Sequence, residues 1–315
     1  MTMTDAPQPQ HLGYAPVRAK GLRPALMRAI ERMSGMAKIM PLYEQWSREV
    51  AGKNPRMMNE GLAMLGTRLN INAPIWPPKV PDGKPVVIIA NHPFGIGDGI
   101  AMLALAEDLG RPYRVLLNKE FLRVPEVRPM ALPIDFSETA EAVKTNLRTR
   151  NEARALLKEG VTMVIFPAGG VATARLPWGK AEELPWKAFA ARLILTSRAS
   201  VMPVFFEGQN SAAFHAMSRL GLSLRMSLLV AEFRHFAGRE ARLHIGPIVD
   251  FEKLVHRGNR SELLDELYVL VHRLAPGNSE KSYDALRPPA KQNQMNWSWD
   301  GPLARRRGGR TSSGL

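Results

Sequence analysis

The 315-residue chain contains no cysteine, which excludes disulfides and thiolate chemistry and fits a reducing compartment. Its longest apolar runs are strand-sized, far below the roughly 20 residues a membrane-spanning helix requires. The first ten residues are polar with two prolines, which does not read as a secretory signal. Acidic residues are scarce: 29 Asp and Glu against 43 Lys and Arg give a formal charge of +14. Several chemical signatures are missing as well. There is no Gly-Lys-Ser/Thr phosphate loop, no His-Glu-x-x-His zinc motif and no Gly-x-Ser-x-Gly nucleophile elbow. Gly95, Gly97 and Gly99 approach a dinucleotide fingerprint, but Ile100 stands where its third glycine belongs. His215, His235, His244, His256 and His272 lack metal-ligand grouping and read as surface or packing residues, so neither a metal nor a cofactor is expected.

What the chain does contain is an apolar strand running into a histidine. Val86 to Ala90 is a β-branched run of the kind buried in parallel sheets, followed by Asn91-His92-Pro93-Phe94-Gly95-Ile96-Gly97-Asp98-Gly99. Proline and glycine force a tight loop at the strand's carboxyl end, where α/β folds keep their chemistry. Histidine moves protons near neutral pH, and a carboxylate on its second ring nitrogen fixes the tautomer. A loop can bring His92 and Asp98 together, whereas a regular helix places residues six apart on different faces. The alternative is a satisfied histidine in a turn.

With 45% hydrophobic residues the chain can bury a substantial core, either as one large domain with appendages or as two modest ones. Residues 1–20 are expected to be disordered. Helices at about 23–49 and 56–68 form an N-terminal appendage over 21–72, and a proline-rich linker begins at Ala73. The main domain is expected over 73–275, with strands at 86–90, 113–117, 130–134, 161–166 and 201–206. Helices alternate with them at 98–109, 138–158 and 185–197, and more are expected near 210–219, 222–236 and 261–274, the last opened by Ser261. Residues 276–315 read as an irregular basic tail. This alternation predicts an α/β fold, a mostly parallel central sheet flanked by helices.

The positive charge calls for a polyanionic partner, either nucleic acid or an anionic membrane. Between Arg23 and Trp46, Leu26, Met27, Ile30, Met33, Met36, Ala37, Met40 and Leu42 recur at helical spacing while Arg28, Arg32 and Lys38 occupy other positions. That pattern suits a membrane-surface helix, and equally a helix packed on the main domain. The expected location is therefore peripheral, on the cytoplasmic face of a membrane. Nucleic acid is not expected, because the arginine-rich tail carries no aromatic residue after Trp299.

Asn91-His92-Pro93-Phe94-Gly95 closed by Asp98-Gly99 resembles the first motif of the glycerolipid acyltransferase superfamily. Its five residues between His and Asp, in place of the commoner four, resemble the hemolysin-like branch, which includes lyso-ornithine-lipid and related lysolipid O-acyltransferases. Phe166-Pro167-Ala168-Gly169-Gly170 resembles the superfamily's Phe-Pro-Glu-Gly block. Glu207-Gly208-Gln209-Asn210-Ser211 resembles the branch's Glu-Gly-x-Asn-Ser block, and Pro125 to Pro129 with Leu132 to Asp135 its second block. Arg242 to Ile248 resembles the strand that closes the domain.

The resemblance implies acyl transfer from an acyl carrier protein or acyl-coenzyme A thioester to a lysolipid hydroxyl, with His92 as general base and Asp98 holding it. Asn91, Phe94, Gly95, Gly97, Arg128, Phe166, Pro167, Gly169, Gly170, Arg175, Glu207, Asn210 and Ser211 are the candidate substrate-binding residues. Backbone N–H groups at Gly95 to Gly97 or Gly169-Gly170 are candidate oxyanion donors, with ordinary turn geometry as the alternative. Phosphate-handling branches carry Phe-Pro-Glu-Gly-Thr and an arginine after Ile-Asp. Here Ala168, Gly170 and Phe136 replace those residues, which favours a lyso-ornithine or similar amino-acid lysolipid over lysophosphatidic acid. The alternatives are a 1-acylglycerol-3-phosphate acyltransferase and, in a different class, a basic protein that binds nucleic acid or lipid without catalysis.

Overall fold

A computed structural model describes residues 36–137, 139–218 and 222–288. Seven strands form one sheet: β1 (Arg68–Asn72), β2 (Val86–Ala90), β3 (Tyr113–Asn118), β4 (Ala131–Ile134), β5 (Thr162–Ile165), β6 (Ser200–Phe206) and β7 (Glu240–Ile245), in the order β1-β7-β6-β2-β5-β3-β4. All neighbours run parallel except β6 and β7. Every residue of β2 is buried, as expected of a central parallel strand covered on both faces.

The two-residue period of β2 divides the core. Ile88 and Ala90 point to one face, where they meet α1 (Met36–Glu49), α2 (Met57–Met64), α3 (Ile96–Asp108) and α7 (Leu222–Phe236). Val87 and Ile89 point to the other, against α4 (Ala140–Lys158), α5 (Ala188–Ser197) and α8 (Arg260–His272). Shorter helices α6 (Ala212–Met217) and α9 (Tyr283–Leu286) complete the described chain. The expected α/β sandwich is therefore observed.

Four local differences from the sequence reading have physical causes. The helix expected to 68 stops at Met64, and residues 68–72 form an edge strand; Leu69 and Ile71 alternate with Arg68, Asn70 and Asn72, a two-residue period inside the expected appendage. The helix expected from 138 starts at Ala140, because the Thr139 hydroxyl accepts from Ala142 N–H (3.1 Å). The last long helix opens one residue earlier, capped by Asn259 rather than Ser261. The tail beyond 276 carries α9, joined to α8 by an Arg287–Asp265 ion pair (2.9 Å). The expectations for residues 1–20, for the part of the 23–49 helix before Met36 and for the tail beyond 288 lie outside the described residues.

The described part of the appendage packs on the sheet domain. Ile39 and Trp46 are buried, Trp46 Nε1 donates to Met57 O (2.7 Å), and Tyr43 and Ser47 both donate to Glu126. The N–H groups that begin α2, which have no partner within the helix, are met by a side chain of another helix. Met58 N–H and Asn59 N–H donate to the buried Glu107 carboxylate of α3 at 2.9 to 3.1 Å. We expect Glu107→Ala to leave these donors unsatisfied and to cost about 2–4 kcal/mol in denaturant unfolding. Burial holds the Glu107 pKa above the usual carboxylate range. Its contribution to stability is thus complete below the ordinary carboxylate pKa and declines as pH rises through the elevated value. Unfolding curves of Glu107→Gln across that range should lack this slope.

Candidate active site

His92 lies just beyond the carboxyl end of β2, between the ends of β5 and β6. Three groups fix its main chain. The preceding Asn91 side chain bridges to β6, donating from Nδ2 to Phe206 O (2.9 Å) and accepting at Oδ1 from Phe206 N–H (2.7 Å). His92 N–H donates to Glu183 Oε1 (2.9 Å), and His92 O accepts from Ala172 N–H (2.8 Å). The imidazole stacks on Phe166 with ring centres 4.0 Å apart, and the side chain is 16% exposed.

The loop then turns back on itself. Gly95, at φ +83° in the left-handed region, precedes the first residue of α3, and Asp98 falls in that helix's first turn. Asp98 Oδ1 therefore comes 3.1 Å from His92 Nδ1, off the straight hydrogen-bond line, and neither atom has a hydrogen-bond partner among the described residues. Asp98 Oδ2 accepts from Phe94 N–H (2.8 Å), and the carboxylate is wholly buried. The positive end of α3 favours its charge. His92 Nε2 has no partner among the described residues and stands available to take a proton.

The remaining candidates divide. Phe94 leans on Phe236 at 5.7 Å, and Phe166 forms the stacking wall of His92. Pro167 O accepts from Lys187 N–H, and Gly169 N–H closes a turn onto Phe166 O (both 2.9 Å), so that amide is not open to an oxyanion. No described hydrogen bond uses the N–H groups of Ile96, Gly97 or Gly170. Asn91 and Ser211 were expected to touch substrate, but the Asn91 side chain holds backbone and the Ser211 hydroxyl holds a helix end and a glutamate. Ser211 caps α6 through Phe214 N–H (3.2 Å) and donates to Glu232 Oε1 (2.5 Å). Glu207 pairs with His244, while Asn210 is buried with Nδ2 lacking a hydrogen-bond partner. Arg128 donates to Leu122 O (2.7 Å), and Arg175 lies on an exposed hairpin 3.6 Å from Glu182. No described contact joins either arginine to His92.

Glu183 escaped the sequence reading because its partners are distant in the chain. Beyond His92 N–H, it accepts from Trp186 Nε1 (3.1 Å) and faces His272 Nε2 (3.2 Å) through its second oxygen. No motif spacing marks a residue 91 positions from the group it holds. Among the described residues, no cluster of three or more His, Asp or Glu is placed to hold a metal ion, and no helix is long and apolar enough to cross a membrane.

A family model described as acyltransferase matches residues 79–265, more than half of the chain. The chain is also similar to the lyso-glycine lipid O-acyltransferase of Phocaeicola vulgatus, 28% identical over 161 residues, covering 48% of this chain and 52% of that protein. The lyso-glycine lipid O-acyltransferase of Bacteroides thetaiotaomicron is 27% identical over 159 residues, covering 48% and 55%. The chain thus spans about half the length of the curated relatives it matches. The crystal structure of the 1-acyl-sn-glycerophosphate (LPA) acyltransferase from Thermotoga maritima aligns with 80% of this chain and 94% of its own. The two share 17% identity at a TM-score of 0.47.

The close approach of helices around the loop can be tested directly. A Cβ at Gly97 would lie 2.5 Å from the Phe236 ring. Alanine in a helix is ordinarily worth up to about 1 kcal/mol over glycine. Here Gly97→Ala should instead destabilise by about 1–3 kcal/mol through overpacking, read as a lowered thermal midpoint.

Proposed function

This chain belongs to the acyltransferase family, and from that premise we propose that it is a lysolipid O-acyltransferase in which His92 and Asp98 perform general-base catalysis. The observation that carries the reading is the pairing of a wholly buried Asp98 with one ring nitrogen of His92 while the other has no partner. In this mechanism His92 Nε2 takes the proton of a lysolipid hydroxyl as its oxygen attacks the carbonyl carbon of an acyl thioester. Asp98 sets the tautomer and stabilises the imidazolium that forms. Collapse of the tetrahedral species breaks the carbon–sulfur bond, and the departing thiolate takes the proton from His92. The N–H groups of Ile96 and Gly97, at the positive end of α3, together with Gly170 N–H, are the proposed donors to the oxyanion.

The donor in this reading is acyl carrier protein or acyl-coenzyme A, both anionic and suited to a chain of charge +14. For the acceptor, Phe94 and Phe166 would line the reacting end, with Glu207 and Asn210 toward the headgroup. Arg128, which donates to Leu122 O, and Arg175, beside Glu182, are the proposed cations for a charged group. The curated relatives act on a lyso-glycine lipid, which supports an amino-acid lysolipid, lyso-ornithine or a related one. A phosphate without a charge-assisted arginine partner forgoes about 1.5–3 kcal/mol, ten- to a hundredfold in affinity. The basic, Met-rich stretch before Met36 is the proposed peripheral anchor on an anionic membrane.

Loss of the base should lower turnover by about 10²–10⁴-fold in His92→Ala, and Asp98→Asn should also cost a large factor through the wrong tautomer. Labelled acyl-carrier-protein assays of variants matched in thermal stability check this, and near wild-type turnover in His92→Ala would sink the assignment. Lyso-ornithine lipid, lyso-glycine lipid and lysophosphatidic acid at equal concentration should yield mainly the acylated amino-acid lipids. A clear preference for lysophosphatidic acid would overturn the acceptor and leave acyl transfer in place.

A further inference from the structure

Between β5 and α5 the chain forms a hairpin whose tip is apolar and uncovered. Leu176-Pro177-Trp178-Gly179 is a tight turn closed by Gly179 N–H donating to Leu176 O (2.9 Å), with proline second and glycine fourth as such turns prefer. Thr173 and Glu182 exchange backbone hydrogen bonds across the base (3.0 and 3.2 Å). Gln209 braces the tip, donating to Gly179 O (2.9 Å) and accepting from Ala181 N–H (2.8 Å). The turn is therefore held in one shape, yet Trp178 is 81% and Leu176 56% exposed. The other exposed large apolar residues among those described, Ile75, Leu147 and Val255, stand singly in the chain and are unremarked features of any surface.

We infer that this tip is a membrane-interface finger: Leu176 and Trp178 enter the headgroup boundary of an anionic bilayer while Arg175 and Lys180 meet its phosphates. The indole suits a boundary with one apolar and one wet side. The cations flank the tip on both sides, and each basic group near such a surface strengthens attachment about fivefold. Two side chains are too few for a specific protein interface, which buries on the order of 1,200 Å² or more, but they are enough for interfacial insertion. Both stems of the hairpin also grip the same residue: Ala172 N–H donates to His92 O, and Glu183 accepts from His92 N–H. A seated finger would therefore hold His92 beside the membrane. The surface stands on its own geometry; its use in presenting a lysolipid to His92 rests on the acyltransferase reading.

Full-length protein and the double variant Leu176→Ser/Trp178→Ser, matched in unfolding midpoint, would be sedimented with vesicles of phosphatidylglycerol and phosphatidylcholine. The variant should partition at least about tenfold less well than the wild type. Brominated phospholipid should quench wild-type fluorescence more than that of Trp178→Phe, a readout that attachment elsewhere in the chain does not mask. Equal quenching of the two proteins would overturn the finger. So would unchanged partitioning accompanied by loss of a concentration-dependent dimer, which would assign the tip to a second copy. None of these readouts requires turnover. Failed acyl transfer with intact Trp178 quenching would count against the enzymatic reading alone, and active protein without that quenching against the finger alone.

Discussion

A carboxylate withdrawn from water must find partners, and the structure around Asp98 is arranged by that requirement. It has one hydrogen bond, from Phe94 N–H, and a 3.1 Å approach to the His92 imidazole, both supplied by the loop that precedes its own helix. To deliver them the chain must reverse between residues 92 and 98, which places Gly95 in a left-handed conformation and starts α3 at Ile96. The reversal leaves little room for a side chain at two of its glycines. A Cβ at Gly95 would lie 2.8 Å from Leu229, and one at Gly97 would meet Phe236. The central strand, the helix that follows it and α7 are thereby locked around one buried charge.

Much of this could be read in the chain because the signals are local. The apolar run of β2, the proline and glycines after it and the alternation of strands with helices all lie within windows of a few residues. The six-residue separation of His92 and Asp98 likewise required a loop to join them, and the loop is there. Long-range partners left no such trace. Glu183 is one of two adjacent glutamates in a basic chain, and only the fold shows that its carboxylate receives a main-chain N–H from the loop that follows β2. Helix ends failed for a related reason, since Asn259 and Ser261 are both good caps and the choice depends on backbone direction.

Polar residues inside a motif invite assignment to substrate, yet buried backbone competes for them first. Asn91 offers one donor and one acceptor to Phe206 and so continues the pairing of β2 with β6 past the end of the strand. Ser211 caps a six-residue helix and binds Glu232. Both sit where a ligand contact was expected, and both hold the floor on which the site stands. Asn210 differs from its neighbour in having a buried Nδ2 without a partner among the described residues, which makes it the more informative member of that block.

The position of His92 follows from the sheet more than from its loop. Asn91 ties the chain to β6, Ala172 and Glu183 tie it to the hairpin after β5, and Phe166 at the end of β5 sets the plane of the ring. Each hydrogen bond contributes only about 0.5–1.5 kcal/mol. Together they oppose displacement in different directions, so moving His92 requires the ends of β5 and β6 to move with it. The proposed role of His92 as a general base would need that rigidity, because a misplacement on the order of 1 Å can cost a hundredfold in rate. A loop carrying proline, glycine and a buried charge can therefore serve as a rigid support, provided that the strands beside it supply the restraint.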